Sequence, residues 1–301
     1  MMNSSRVYDV IYIGNYTKDT IVNPTGTCYT DGGAVNYAAH AAARLGYKVA
    51  VVTRLAAEDK RVVDKWIHSG IDSYVTYTPQ STNMRLDYPT LDPDIRTLTV
   101  TATAGAITAA DVQLLHARMA VIGSSLRGEV GLDVIRALRA KGIPVAADMQ
   151  GFVRVLVGQT LVYTPWPEMA EHLAELDILK SDAVEAEALT GENDIYQAAK
   201  IYASMGPKEV VLTHKDGVLL YANGKFSEAG FCPSQMNGRS GRGDTCLGAY
   251  AAMRLARPPA EAVIWAAAVT SLKMEKLGPF DRSIAEVQEL IRKKYDPRAT
   301  G

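Results

Sequence analysis

The stretch whose residue types and spacing could do chemistry runs over residues 237–254, NGRSGRGDTCLGAYAAMR. Gly238, Gly241 and Gly243 lead into Asp244 and Thr245, after which Leu247, Tyr250, Ala251 and Leu255 recur at helical spacing. A Gly-rich loop opening onto a helix N-terminus offers bare backbone N–H groups and the positive end of the helix dipole, which suits an anion. Asp244 at that mouth has two readings. It is an ordinary first-turn cap, or it takes a proton from a hydroxyl that attacks the bound group. Arg242 beside it either faces solvent or adds a guanidinium to the anion site.

The elements that must hold this loop begin at residues 7–13 (VYDVIYI), a β-branched and aromatic run that reads as a buried strand ending at Gly14. Asn15 and Tyr16 leave it, Asp19 precedes a short β run at 20–22, and Asn23-Pro24-Thr25-Gly26 is a turn signal. Asp31-Gly32-Gly33-Ala34-Val35-Asn36 then opens a helix with Val35, Ala38, Ala39, Ala42 and Leu45 on one face and Gly46 at its end. With the strand at 49–53 this makes a βαβ unit. Gly32-Gly33 serves either a tight turn or an open floor where backbone meets a ligand, with Asn36 facing it.

Residues 57–69 read as helix, and 74–78 and 97–103 alternate like half-exposed strands around a Pro-rich turn region at 87–94. Strands at 119–123, 145–148, 176–180 and 210–213 then alternate with helices at 129–141 and 181–191, and 218–221 returns antiparallel to 210–213. Helices at 261–276 and 284–295 follow. The segment from Asp148 through Gln150 to Arg154 is a polar exit from a strand or a ligand site, since open sheets bind ligands at strand carboxyl ends. Asp182 and Glu185 read as a capping box. The alanines of 261–276 read as core packing.

On these residues the chain resembles the ribokinase (PfkB) family of carbohydrate kinases. Gly241-Arg242-Gly243-Asp244 is similar to the family's C-terminal signature Asp-Thr-x-Gly-Ala-Gly-Asp, with Gly238 in place of its first Asp and Arg242 in place of its Ala. The Gly-Gly pair followed by Asn36 and a small-residue helix is similar to the N-terminal signature. The resemblance implies a ribokinase-like three-layer α/β/α fold with a mostly parallel central sheet. It also implies one domain over 1–301, with a small β-lid from segments about 20–31 and 73–104 through which two copies pair.

The implied reaction moves the γ-phosphate of ATP to a hydroxyl of a small sugar or polyol. Asp244 becomes the base, and the amides of Gly241, Arg242 and Gly243 form the anion hole. Substrate binding falls to Asn15, Asp19, Gly33, Asn36, Gln150 and Arg154. Nucleotide binding falls to Asp182, Thr213, Gly217, Ala267, Thr270 and Ser271, the last three as the wall of an adenine slot. Mg²⁺ sits near Asp182 and Glu185, which match the family's Asn-x-x-Glu except at the first residue. Lys215 stands where the family has a Gly after Thr213. Gly238 removes the Asp of the family's monovalent-cation site, so potassium activation is not expected. Gln150-Gly151 and Gly14-Asn15-Tyr16 resemble inositol-kinase-like members and favour a cyclic polyol. The alternatives are a nucleoside kinase and a weakly active or inactive sugar- or nucleotide-binding sensor on the same fold. A dinucleotide-binding dehydrogenase is disfavoured because the first strand lacks a following Gly-x-Gly-x-x-Gly.

Composition limits the partners. With 32 basic and 33 acidic residues the net charge is −1, so nothing in bulk charge calls for nucleic acid or an anionic membrane. No stretch approaches ~18 uncharged apolar residues, and MMNSSRVYDV does not read as a secretory signal. Cys28, Cys232 and Cys246 lack paired spacing and read as free thiols, and the five histidines lack ligand spacing. The expectation is a soluble cytoplasmic protein.

Overall fold

The computed structural model describes residues 6–90 and 96–295. The turn region expected at 87–94 therefore lies partly outside the described residues.

From the amino end, β1 (Val7–Ile13) is followed by β2 (Thr17–Asn23), β3 (Gly26–Gly32), α1 (Ala34–Arg44), β4 (Val49–Ala56), α2 (Arg61–His68), β5 (Ile71–Thr78), β6 (Thr82–Asp87) and β7 (Thr97–Ala102). The middle of the chain gives α3 (Ala109–Val112), β8 (His116–Ile122), α4 (Leu132–Arg139), β9 (Val145–Asp148), α5 (Gln150–Val153), β10 (Arg154–Val157) and β11 (Thr160–Tyr163). There follow α6 (Met169–Leu173), β12 (Ile178–Asp182), α7 (Ala183–Thr190), α8 (Ile195–Ser204), β13 (Glu209–Thr213), β14 (Gly217–Ala222) and β15 (Lys225–Gly230). The chain then runs through α9 (Arg242–Arg254), α10 (Pro259–Met274) and α11 (Ile284–Lys294).

Nine strands form one sheet in the order β15-β14-β13-β12-β9-β8-β1-β4-β5. Along it every pair from β13 to β5 is parallel, while β14 and β15 are antiparallel. The sheet is therefore mixed rather than uniformly parallel. The tight connection from Thr213 to Gly217 cannot cross over, so β14 has to return antiparallel. Burial on both faces follows from the sequence. In β1, Val10 and Tyr12 enter a core with α1, α2, α9 and α10, and Ile11 and Ile13 enter the core under α4 and α8. Near-continuous apolar strands of this kind need helices on both sides.

The chain leaves β1 toward β4 on one side and later reaches β8 on the other, which opens a crevice at the strand carboxyl ends. Helices α1 and α9 pack there through small residues: a Cβ on Gly248 would lie 2.5 Å from Ala38 Cα. That close approach sets the two Gly-rich N-termini, at Gly33 and Gly241, side by side.

A second sheet, β10-β11-β7-β6-β2-β3, is built from three antiparallel pairs that leave the first sheet at the carboxyl ends of β1, β5 and β9. The segment at 73–104 is divided between the sheets. β5 extends the nine-stranded sheet, pairing with β4 from Val49↔Ile71 to Ala56↔Thr78, and only β6 and β7 join the second. An edge strand is open on one side, and its alternation looks like that of a two-stranded flap. β10 and β11 join the second sheet although no strand was expected there. Their signal is an alternating run split by Gly158-Gln159, a two-residue hairpin connection. Among the described residues no helix is long and apolar enough to cross a membrane.

Candidate active site

Gly241 caps α9 in a left-handed conformation, φ 75°, and packs directly on the Tyr37 ring of α1, leaving no space for a side chain. Asp244 follows in the first turn of α9. Beneath it, β9 and β12 bring Asp148 and Lys180 to adjacent carboxyl ends. The Lys180 ammonium donates to Asp148 Oδ2 at 2.9 Å and Oδ1 at 3.2 Å, with both side chains buried. A Cβ on Gly243 would lie 2.6 Å from Lys180 Nζ, so the glycine lets the ammonium reach the underside of the loop. Burial opposes the Lys180 charge, but Asp148, Glu185, Asp182 and Asp244 raise its pKa and keep it protonated. Burial, and then Asp148, push the Asp244 carboxyl up to about 6, against the pull of Lys180, Arg154 and Lys273. A carboxylate with that pKa, at the mouth of an amide-lined turn, is suited to accept a proton near neutral pH.

The loop faces a cavity of about 600 Å³ whose opposite wall comes from the second sheet. Five cationic side chains line it, Arg96, Arg154, Lys180, Arg239 and Arg242, against the carboxylates of Asp182 and Asp244. Arg242 also lies over the Phe231 ring, 5.8 Å from its centroid. Gln150 and Thr213 line the same cavity. Arg154 is 6% exposed; burial opposes its charge, and Glu185, Tyr163 and Asp182 hold it protonated. So dense a set of guanidinium groups matches a ligand with several phosphoryl oxygens.

Asp182 and Glu185 form the capping box that their spacing foretells: Glu185 N–H donates to Asp182 Oδ1 at 2.8 Å and Asp182 N–H to Glu185 Oε2 at 2.9 Å. The other Glu185 oxygen faces Arg154 at 3.7 Å. Glu185 is thus engaged at both oxygens, and Asp182 is the member of the pair that lines the cavity.

On the other side of Asp244, Asp19 from β2 is half-buried, its buried Oδ1 has no hydrogen-bond partner, and desolvation with Asp244 and Asp31 nearby raises its pKa to about 6 against a lowering hydrogen bond from Thr17. Asn83 Oδ1 on β6 and Ser124 Oγ after β8 are likewise buried and unpartnered. Such atoms are costly to leave bare and fit a ligand bearing hydroxyl groups. Two expected ligands of the same region are committed elsewhere. The Asn15 amide donates to Gly105 O at 2.8 Å and accepts from Arg54 N–H at 3.2 Å. The Asn36 amide accepts from Trp66 Nε1–H at 2.8 Å and donates to Asp31 O at 3.1 Å. The Asn36 amide thereby holds the residue that precedes the Gly-Gly pair. Gly33 itself caps α1, with φ 93°.

The remaining nucleotide residues lie away from the cavity. Ala267, Thr270 and Ser271 are 0% exposed within α10. The Thr270 and Ser271 hydroxyls donate to Ala266 O and Ala267 O at 2.7 Å, and Ser271 Oγ also accepts from Cys232 N–H at 2.9 Å. Gly217 is buried against β15, where a Cβ would meet Ala229 O at 2.6 Å. The alanine-rich face of α10 is core packing, and it forms no open slot. Among the described residues no group of three or more His, Cys, Asp or Glu side chains could hold a metal ion.

Sequence reasoning overlooked Lys180, Asn83, Ser124, Arg96 and Arg239. Lys180 carried a usable signal, since a lysine ending an apolar strand must be paired. Arg96 had none, because only the path of the chain into β7 brings it to the cavity.

The family model described as pfkB family carbohydrate kinase matches residues 6–284. A pyrophosphate-dependent kinase in the ribokinase family, solved with sulfate, superposes with a TM-score of 0.87 at 34% identity, covering 94% of this chain and 100% of that one. One solved with a pyrophosphate analog and myo-inositol gives 0.86 at 32%, covering 93% and 99%. The cytidine kinase of Thermococcus kodakarensis is 27% identical over 254 residues, 81% of this chain and 87% of that protein. The chain belongs to the pfkB family of carbohydrate kinases.

Proposed function

We propose that this kinase transfers a phosphoryl group from inorganic pyrophosphate to a hydroxyl of a cyclic polyol of the inositol type, with Asp244 as general base. The observation that carries the donor is the cavity wall itself: five cations converge on it, while the α10 residues that would flank an adenine are buried in the core. ATP, the donor implied by the sequence resemblance, would place its phosphates among the same cations but leave its base without a slot. The pyrophosphate-dependent structures at 32% and 34% identity support the same choice, and the one holding myo-inositol supports the acceptor.

In this reading the acceptor hydroxyl lies between Asp244 and the unpartnered oxygens of Asp19, Asn83 and Ser124. Asp244 takes the hydroxyl proton as the new O–P bond forms; the P–O bond of the donor breaks, and orthophosphate leaves. The amides of Gly241, Arg242 and Gly243, with Lys180 below them, hold charge on the transferring group. Mg²⁺ fits at Asp182 through water, where it would neutralise donor oxygens. The second sheet acts as a lid that carries Arg96 and Tyr163 over the donor and excludes water.

The test is product formation across pyrophosphate and ATP as donors, against inositols, ribose, fructose and cytidine as acceptors. Pyrophosphate-dependent phosphorylation of an inositol is expected. Turnover with ATP alone would refute the donor assignment, and preferential phosphorylation of cytidine would refute the acceptor.

A further inference from the structure

Lys273 sits about one turn beyond Thr270 on α10 and is 2% exposed. Its ammonium donates to the main-chain carbonyl of Gly238 at 2.6 Å and to that of Ser240, and it lies 5.2 Å from the centroid of the Tyr37 ring. Carbonyl oxygens and an aromatic face are the neutral groups that hold a monovalent cation out of water. The loop so held is the one that becomes the anion hole. Among the described residues no peptide is cis, and in a trans peptide a carbonyl and the next N–H point in opposite directions. Drawing the Ser240 carbonyl toward Lys273 therefore turns the Gly241 N–H away from it. The same holds for Gly238 and the Arg239 N–H.

The loop is stitched to α10 from its other side as well. Asn237 N–H and Gly238 N–H both donate to Met274 O at 2.9 Å. Gly238 packs so closely on the Lys276 carbonyl that no side chain fits there. Tyr37 closes the arrangement, because the ring facing the ammonium is also the surface on which Gly241 rests.

We infer that Lys273 is a positioning residue, a tethered cation that fixes the anion-hole loop from behind and does inside the chain what a bound monovalent ion would do from solution. The inference rests on the loop binding the donor phosphoryl group. Catalysis then needs no added monovalent cation, and removing the ammonium creates a need for one.

The experiment uses the full chain with pyrophosphate as the probe. Pyrophosphate affinity and turnover are measured in choline, sodium, potassium and ammonium chlorides at equal ionic strength, for the wild type, Lys273→Ala and Lys273→Met. The wild type should vary by less than about twofold across the salts, while Lys273→Ala should lose about thirtyfold or more in choline and regain about tenfold in potassium or ammonium. Lys273→Met, which fills the space without charge, should lose as much and regain nothing. Stimulation of the wild type by potassium of about tenfold overturns the inference. So does a folded Lys273→Ala with unchanged affinity and turnover, or one that no cation restores. If the variants do not fold, the wild-type salt series decides alone. If the wild type phosphorylates no acceptor, the proposed function fails, and the affinity measurements still judge Lys273.

Discussion

The Lys180 ammonium and the Asp148 carboxylate meet at 2.9 Å on adjacent parallel strands, directly beneath Gly243. The pair places a fixed positive charge under the Gly-rich loop, and Asp148 supplies the partner that makes its burial tolerable. The Gly243 backbone can lie this near only because it has no side chain.

Breaking that pair should cost stability as well as donor binding. Removing one partner of a buried ion pair leaves the other uncompensated, typically about 3–5 kcal/mol. Lys180→Met is therefore expected to lower the unfolding free energy in urea by that order, and Lys180→Met combined with Asp148→Asn to recover part of it. Equal stability of the single variant and the wild type would contradict the account.

Gly243→Ala should separate binding from folding. Its Cβ would come 2.6 Å from Lys180 Nζ, the far end of a flexible side chain that can shift. The melting temperature should change little, while pyrophosphate affinity by calorimetry falls about tenfold as the ammonium is pushed off the loop. A variant that melts far lower yet binds normally would show that the contact serves packing.

Arg242 tests the departure from the family signature. The guanidinium lines the cavity and stacks over Phe231. Arg242→Ala, which restores the small residue of the signature, should raise the pyrophosphate KM about tenfold or more with a smaller effect on the polyol KM. An unchanged donor KM would remove Arg242 from the donor site.

Asp111 gives a prediction for acid stability. Burial raises its pKa, but the hydrogen bonds from Arg54 and Thr108 outweigh that and hold it at about 2, below the usual value of 3.8. A depressed carboxylate stabilises the fold above its unfolded pKa, and the gain is lost as pH falls from about 4 toward 2. Asp111→Asn should thus flatten the fall in melting temperature over that window. An identical slope in the variant would show that other carboxylates govern it.

Much of the fold was legible because it rests on local pattern. The β-branched run of β1, the alanine face of α1 and the Gly-rich turn before α9 each state their structure, and helices on both faces of a sheet follow from them, while the sheet itself is mixed. Asp244, Gly241 and Arg154, which the sequence singles out, do line one cavity in the structure. The Asn15 and Asn36 amides look like polyol ligands in sequence, and in the fold they also bond Gly105, Arg54, Trp66 and Asp31, contacts that sequence spacing does not reveal. The donor end was hidden for another reason. Arg96 arrives from the segment leading into β7 of the second sheet, which no local spacing reveals. An alanine-rich helix likewise reads the same whether its small face lines a slot or fills a core.

The central claim is that Asp244 accepts the proton of the acceptor hydroxyl, and Asp244→Asn tests it most directly. With pyrophosphate and myo-inositol, the variant should lose roughly a hundredfold or more in turnover while its pyrophosphate Kd stays within about threefold of the wild type. The wild-type kcat/KM should fall below the raised Asp244 pKa of about 6, where the base becomes protonated, and the residual activity of the variant should lack that acid limb. A folded variant that keeps wild-type turnover would contradict the account.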